Sequence, residues 1–435
     1  MSAVLDSLRS AWTEASPTLP GDGARRARAL EEFLAAGLPT VREEDWKYTS
    51  LKRLDNRTAT LPVMPDATAG GALAERLGVQ GLDGPRLVFV NGHFVPSASD
   101  AGDTRLEIGS LGAALAAGFP HDRLGSVIDL QRYRFAQLNA ALFADGAVVR
   151  APRGVVEPRP VYLLFLTLGD EDALPIVQPR IWIEAEAGAE LTVIEHHTGE
   201  RGDALSNVVT EAVAHDNSRI THFRVQEQAP AHIHIAGLNI RLERDARVHS
   251  HNIDFGGGLV RNDLHARLVA PGAELTLDGL YFTGGTQHVD NHTRVDHLAP
   301  QTRSTEDYRG VLDGQSRAVF NGKVLVAEDA QKIEAHQSNP NLLLNRRCEV
   351  DTKPELEIYA DDVKCSHGAT VGQLDTTALF YLRSRGIDAD TARSLLTFAF
   401  ANDVIGRIGV EPLRERLAAQ VLGRLPEGES IRELT

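Results

Sequence analysis

The sequence predicts a mainly β protein, a β-solenoid or parallel β-helix with a helical region at each end. Three observations lead to this fold class. Short alternating runs replace helical periodicity between about Val148 and Gly372, the same segment contains an internal repeat, and helical periodicity is confined to the two ends of the chain. These changes of pattern divide the chain into an N-terminal helical and mixed region at 1–147, a solenoid core at 148–373 and a C-terminal helical domain at 374–435.

The N-terminal region begins with helices and then becomes mixed. Ala24 to Ala36 carries Leu30, Phe33 and Leu34 on one face, the spacing of an amphipathic helix. Further along, Arg86 to Val90 is an apolar run of strand length that is followed by an Asn-Gly turn. We therefore expect helices first and at least one strand before the core.

The repeat in the core is the main argument for a solenoid. Each unit opens with a turn-forming residue and a small residue, enters an alternating strand, and is followed by a second strand. The units start at positions 188, 217, 245 and 272, so the steps are 29, 28 and 27 residues, and they read Gly188-Ala189-Glu190-Leu191, Asn217-Ser218-Arg219-Ile220, Asp245-Ala246-Arg247-Val248 and Gly272-Ala273-Glu274-Leu275. Such a period indicates stacked units that bury their apolar faces against one another. A jelly roll or sandwich is the alternative, and the repeat blurs after Pro300.

Three helices are predicted after the core. Asp375 and Asp388 are suited to cap the first two, and Pro412 suits the first turn of the third. A helical region of this kind either covers the end of a repeat stack or offers a docking surface to another chain.

Composition excludes several classes of function. The 435 residues include 45 Lys and Arg and 60 Asp and Glu, which gives a net charge of −15. An acidic chain offers no basic footprint for nucleic acid and no polybasic anchor for a membrane, and no apolar run approaches the length of a membrane span. Two cysteines do not make a disulfide framework, and the N-terminus has no signal-peptide pattern. We expect a cytoplasmic protein.

Cys365 and His367 form the most distinctive local pattern. They lie two residues apart at the end of a strand-like run, so both side chains point to the same face. Thiolate and imidazole are ligands that soft and borderline metals prefer. The alternative is that Cys365 is a small buried apolar residue and His367 a turn residue.

Histidines and acids of the core suggest other chemistry. Twelve of the 16 histidines lie between His196 and His297, and two pairs have the His-x-His spacing that points both rings to one side of a strand. A built-in iron or zinc site is therefore conceivable, although the acids show no repeated ligand spacing. The aspartates are scattered along the core. This distribution fits solvated turns better than the paired acids of a glycan-cleaving β-helix enzyme. No phosphate-binding loop occurs, so an ATPase would have to be a separate chain.

Several segments together resemble one known family, the SufB/SufD scaffold subunits of the SUF iron–sulfur cluster assembly machine. Within this family, the sequences of these segments are most similar to the SufD branch. The strong similarity covers about residues 300 to 405. The segments are Tyr359 to Gly372 (YADDVKCSHGATVG), Leu379 to Ile387 (LFYLRSRGI), Phe320 to Lys323 (FNGK), Gln337 to Leu344 and, near the N-terminus, Glu44 to Thr49 (EDWKYT).

The resemblance implies a right-handed parallel β-helix and a non-catalytic subunit. It implies pairing with SufB through the β-helix and binding of the ATPase SufC through the C-terminal helices, with ATP-driven motion exposing an assembly site at the SufB interface. A homodimer of the isolated chain is a further expectation. The docking surface maps onto roughly Leu374 to Val410, including Phe398, Phe400 and Val404, and Asp403 stands where the family has a glutamate.

The resemblance also assigns the interface site. His367 matches the family histidine that contributes to nascent cluster formation, and Cys365 lies within the same motif. Both are expected to contact iron or sulfide transiently, with the nascent cluster shared with SufB and no tightly bound cofactor. Cys348 is a tentative further member. The alternatives are a SufB-like subunit that carries the principal cysteine, or a stand-alone β-helix or histidine-metal enzyme.

Overall fold

The computed structural model describes residues 3–62 and 67–432. The N-terminal region contains α1 (Ala3–Ala15), α2 (Gly23–Ala36), β1 (Ala59–Thr60), α3 (Ala67–Leu77), β2 (Arg86–Val90), β3 (His93–Phe94), β4 (Glu107–Ser110), α4 (Leu111–Ala116) and α5 (Arg134–Leu142). Four short 3₁₀ helices lie between them, at Glu44–Trp46, Lys52–Leu54, Pro96–Ala98 and His121–Arg123.

The core is a parallel β-solenoid of about seven turns, which confirms the predicted fold class. Its first strands are β5 (Gly146–Ala151), β6 (Val161–Leu166), β7 (Leu174–Val177), β8 (Arg180–Ala185), β9 (Glu190–Gly199), β10 (Leu205–Ala214), β11 (Arg219–Gln228) and β12 (Ile233–Leu242). The chain continues through β13 (Arg247–Asp254), β14 (Leu259–Leu268), β15 (Glu274–Thr283), β16 (His288–His297) and β17 (Arg303–Leu312). The last strands are β18 (Arg317–Val326), β19 (Ile333–Leu343), β20 (Glu349–Ile358) and β21 (Val363–Gly372).

The strands form two long sheets that face each other. Sheet 1 runs in the order β20-β18-β16-β14-β12-β10-β8-β5-β4, with β7 and β1 attached at the side. Sheet 2 runs in the order β21-β19-β17-β15-β13-β11-β9-β6-β2-β3. From β8 onward, successive strands alternate between the sheets, and each pairs in parallel with the strand two places along the chain. A given inward position therefore recurs as a row of side chains along the solenoid.

The turn that opens each predicted unit has a common backbone conformation. Gly188, Asn217, Asp245 and Gly272 all have positive φ, between 53° and 77°. Glycine adopts this region freely, and Asn and Asp tolerate it better than most residues. The small residue after each of them is fully buried, because it lies at the tight corner between two strands. The repeat does not end at Pro300, since β17 to β21 continue the same stacking.

Helices cover the outer surfaces of the two sheets. On sheet 2 lie α7 (Ala389–Ile405), α8 (Glu411–Leu422) and α9 (Gly428–Arg432), of which α7 and α8 supply most of the buried contacts, whereas α6 (Thr376–Ser384) precedes them and contains no buried residue among those described. The Asp375 and Asp388 side chains accept hydrogen bonds from the first backbone N–H groups of α6 and α7, as predicted. On sheet 1, α1, α2 and α5 bury their apolar faces against β10, β12 and β14.

Two boundaries follow from this arrangement. The predicted division between residues 147 and 148 falls inside β5, and β2 of the N-terminal region pairs with β6, so the two segments share a sheet. The division between residues 373 and 374 falls in the link between β21 and α6. Within the described residues, no helix has both the length and the apolar character that crossing a membrane requires.

Candidate functional site

The last turn of the solenoid is left uncovered by the part of the chain that the structure describes. β20 pairs only with β18, and β21 pairs only with β19, so each has one free edge. Every residue of β20 and β21 is half-buried or exposed, whereas most residues of the preceding strands are buried. A free strand edge presents unpaired backbone donors and acceptors to any chain that can pair with it.

Cys365 and His367 lie on this last turn, on the side of β21 that faces the interior. Their neighbours across the ladder are Ala335 and Gln337 of β19, both buried. Cys365 is half-buried against an apolar cluster, and burial raises the pKa of its thiol above the usual value of 9.0, so the protonated form prevails at neutral pH. His367 is exposed at the end of the solenoid. The pair therefore combines an accessible imidazole with a thiol that a bound metal ion would have to deprotonate.

A buried polar layer lies directly beneath His367. Gln337 donates from Nε2 to Oε2 of Glu306 at 2.7 Å, and burial raises the pKa of Glu306 to about 7. Gly322 of β18 makes room for this contact, because a Cβ there would lie 2.2 Å from Gln337 Nε2. The interior at this end is thus polar and closely filled.

Two asparagines extend the layer. Asn339 donates from Nδ2 to the Tyr308 carbonyl at 2.7 Å and to Tyr281 Oη at 3.0 Å, and Asn341 donates to Asn339 Oδ1 at 2.8 Å. Thr352 of β20 donates to Asn339 Oδ1 at 2.8 Å, which ties the last strand of sheet 1 to sheet 2. These bonds fix β19 as a rigid support for β21.

The other cysteine lies elsewhere. Cys348 is half-buried in the corner between β19 and β20, with Sγ 3.8 Å from the Gly314 carbonyl oxygen. Cys365 pairs with Ala335 near the start of β19, so the length of that strand separates the two thiols by roughly 25 Å. The structure does not bring Cys348 together with Cys365 and His367.

The histidines of the core do not converge on one centre. Six of them contact carboxylates or hydroxyls at separate places, some inside the solenoid and others outside: His196 contacts Glu227, His197 and His222 contact Glu195, His265 contacts Asp296, His292 contacts Asp290, and His297 contacts Thr302 and Ser304. Among the described residues, one group places two imidazoles and a carboxylate within 4.8 Å of one another, and it consists of His249, His251 and Asp278. Burial lowers the pKa of His251 to about 3, so its imidazole is neutral.

Family models match almost the whole chain. A model described as "SUF system FeS cluster assembly, SufBD core domain" matches residues 166–400, and one described as "SufBD protein N-terminal region" matches residues 23–163. The chain belongs to the SufB/SufD family of the SUF iron–sulfur cluster assembly system. It is 32% identical to the iron–sulfur cluster assembly protein SufD of Escherichia coli, over 92% of each chain. It is also 32% identical to a SufBD family protein of Synechocystis (90% of this chain, 89% of the relative) and 26% identical to SufD of Bacillus subtilis (68% and 67%).

Three of the segments that carry the SufB/SufD resemblance meet at the open end of the solenoid. Tyr359 to Gly372 contains β21, Gln337 to Leu344 forms most of the supporting strand β19, and Phe320 to Lys323 contributes Gly322. The N-terminal segment, Glu44 to Thr49, has a different position. It anchors the N-terminal region on sheet 1, where Thr49 donates to Asp290 and Arg261 lies 4.5 Å above the Trp46 ring.

The residues predicted to dock the ATPase lie on α7. Phe398 and Val404 are buried between α7 and the solenoid, so they support the helix from below. Phe400 is half-buried, and Asp403 is exposed and forms an ion pair with Arg309. The predicted docking range also contains the more accessible aromatic residues Phe380 and Tyr381 of α6, which are 72% and 57% exposed. Their apolar character on a short helix was visible in the sequence as LFYL.

Proposed function

We propose that this chain is a SufD-like, non-catalytic scaffold subunit that pairs with a SufB-type subunit through the open end of its solenoid. The observation that carries the proposal is the free edge of β21, ten residues without proline, with Cys365 and His367 on its inner side. The neighbouring edge strand β20 contains Pro354, which lacks a backbone donor. Pairing along β21 would continue sheet 2 into the partner and enclose the two side chains at the junction.

An incomplete ligand set suits such a scaffold. One imidazole and one thiol cannot complete a four-coordinate iron site, so the partner has to supply the remaining ligands. Iron, sulfide and the nascent cluster are cargo in this proposal, held at the junction and then released. The raised pKa of the Cys365 thiol favours His367 as the first contact of the metal ion. The thiol has to lose its proton before it can bind the ion, whereas an imidazole nitrogen does not need a thiol to be deprotonated.

The C-terminal helices supply a second contact surface, for the ATPase subunit. The described residues of α6 include none that is buried, and Phe380 and Tyr381 project from it into solvent. Exposed aromatic side chains are typical of the centre of protein interfaces. α6 follows β21 directly, so movement of an ATPase bound to α6 would be transmitted to the strand that carries His367. A homodimer of the isolated chain would use the same free edge of β21.

Cluster assembly by the reconstituted complex tests the site. His367→Ala should leave the fold and the association with SufB and SufC intact, and should slow cluster formation from iron and sulfide at least tenfold. The matched control is His336→Ala, which removes an exposed histidine from the outer face of the adjacent strand β19. If the His367→Ala complex assembles clusters at the wild-type rate, the assignment of His367 is wrong.

A further inference from the structure

A second cluster of metal-binding side chains lies far from β21, on the outer face of sheet 2. His249 and His251 are two residues apart on β13, and Asp278 lies beside His251 on the neighbouring strand β15. His249 Nε2 lies 2.7 Å from Asp278 Oδ2, and His251 Nδ1 lies 3.8 Å from the same oxygen. Three donor atoms on two rigid strands therefore point to one place.

Two of the three side chains are buried, and one donor atom has no partner. His251 and Asp278 are each 1% exposed. Among the described residues, no group hydrogen-bonds to His251 Nδ1, although the stacking of its ring on Phe223 (centroids 4.7 Å apart) fixes its direction. A buried polar atom without a partner destabilises the fold unless something binds it. This orphaned nitrogen is the observation that points to a ligand.

The carboxylate is oriented by a residue of the C-terminal domain. Arg407, just after α7, pairs with Oδ1 of Asp278 and leaves Oδ2 directed at the two imidazoles. Arg407 also pairs with Asp307 at 2.7 Å, and Arg309 bridges Asp307 to Asp403. Three carboxylates thus share two guanidinium groups, so this network carries one net negative charge before any metal binds.

We propose that His249, His251 and Asp278 bind a divalent first-row transition metal ion, of the class of Fe²⁺ or Zn²⁺. Two imidazole nitrogens and one carboxylate oxygen suit these ions, whereas Ca²⁺ and Mg²⁺ prefer oxygen ligands throughout. Ligand bonds of about 2.0 to 2.2 Å place donor atoms roughly 3.0 to 3.5 Å apart, between the two separations observed here. Three protein ligands leave at least one coordination position open to solvent, on the half-exposed side of His249.

Binding requires only a small rearrangement of protons. His249 now donates its Nε2 proton to Asp278, and it would carry that proton on Nδ1 once Nε2 binds the metal. Among the described residues, His251 Nδ1 has no hydrogen-bond partner to give up before it binds the metal. The contact between Arg407 and Oδ1 can persist, so the metal would tie α7 and its following turn more firmly to β13 and β15.

Cobalt titration of the full-length chain, with any affinity tag removed and bound metal stripped by a chelator, tests the proposal. We expect one Co²⁺ per chain with visible absorption of a nitrogen and oxygen site and no thiolate-to-cobalt band, displacement by Zn²⁺, and competition from Fe²⁺ only when it is in excess. His249→Ala should weaken binding at least tenfold, because it removes one ligand from a half-exposed position without opening a cavity. Asp278→Asn should do the same, with circular dichroism to confirm that α7 stays folded.

Two controls separate this site from others. His265→Ala removes a histidine that pairs with Asp296 at 2.8 Å, and we expect Co²⁺ affinity within twofold of wild type. A Cys365→Ser/His367→Ala double variant should likewise bind normally, which distinguishes this site from the open end of the solenoid. The proposal is overturned if wild-type protein binds less than half an equivalent, if His249→Ala binds as tightly as wild type, or if a thiolate band appears.

Discussion

Gln337 donates from Nε2 to Oε2 of Glu306 at 2.7 Å, one strand below His367 in the same inward row. The row places a buried carboxyl group two strands from the exposed imidazole at the open end. Glu306 is 3% exposed, and burial raises the pKa of its carboxyl group from 4.5 to about 7. The support for the candidate site therefore titrates near neutral pH.

The first prediction concerns the pH dependence of stability. The folded protein holds the Glu306 proton more tightly than the unfolded chain, so this residue stabilises the fold fully below pH 4.5, and the contribution is lost as pH rises through about 7. The total change is on the order of 3 kcal/mol at 1.36 kcal/mol per pKa unit. Glu306→Gln should remove this decline in urea-unfolding midpoints between pH 5 and pH 8. Glu328→Gln, at an exposed carboxyl, should leave the decline unchanged, and an equal slope in Glu306→Gln would contradict the assignment.

A second prediction concerns pairing at the open end. Val371 lies on the inner side of β21 and is 49% exposed, so a carboxylate there is tolerated in the free chain. Covered by a partner, the same carboxylate would be desolvated without a counter-charge, at a cost of several kcal/mol. Val371→Asp should therefore abolish co-purification with SufB while the monomer stays folded. Val156→Asp, at a valine 46% exposed before β6, is the matched control and should bind normally.

The third prediction concerns α6. Replacing Phe380 and Tyr381 by alanine removes two exposed aromatic side chains, of which Tyr381 contacts Arg385 at the end of the same helix, so stability should change by less than about 1 kcal/mol. If these residues are central to the ATPase interface, the pair together is worth at least about 2 kcal/mol, so affinity for SufC should fall at least about 30-fold. Leu298→Ala, at a leucine 43% exposed between β16 and β17, should have no effect on SufC binding measured by calorimetry. Normal SufC affinity in the double variant would exclude α6 as the docking surface.

How far the sequence predicts the fold is clearest at the repeat turns. Gly, Asn and Asp mark the first four turns, and these are the residues that sequence reasoning associates with positive φ. The next two turns use Gln301 (φ 59°) and Lys332 (φ 60°), residue types that seldom adopt this conformation. The turn signal is therefore missing after Pro300 although the stacking continues, because the flanking strands and the buried corner residues hold the backbone there.

One part of the candidate site can likewise be predicted from the sequence, and another part cannot. Spacing alone places Cys365 and His367 on one face, since that depends only on the period of a strand. The register of β17, β19 and β21 is not readable from local patterns, so the row of Glu306, Gln337 and His367 and the distance of Cys348 emerge only in three dimensions. The same holds for His249 and Asp278, which are 29 residues apart in the chain and 2.7 Å apart in space.

The last prediction contrasts two ion pairs, each linking strands one solenoid turn apart. Arg180 and Glu211 are 1% and 0% exposed, and Glu211 also accepts hydrogen bonds from the backbone N–H groups of Gly125 and Val127 at 2.8 and 2.9 Å. Removing the charge leaves a buried guanidinium without a counter-ion, which costs about 3 to 5 kcal/mol. Glu211→Gln should therefore lower the urea midpoint strongly and expose residues 125–128 to hydrogen exchange.

The matched control is the surface pair of Arg219 and Glu190, 56% and 39% exposed, with Nη1 and Oε1 3.1 Å apart. Water screens both charges, so Glu190→Gln should cost less than about 1 kcal/mol. The comparison isolates burial, because both pairs join consecutive turns of the same solenoid. Equal losses of stability in the two variants would contradict this prediction. They would mean that the charge of the Glu211 carboxylate does not hold the 125–128 loop on sheet 1, and that apolar contacts alone hold it there.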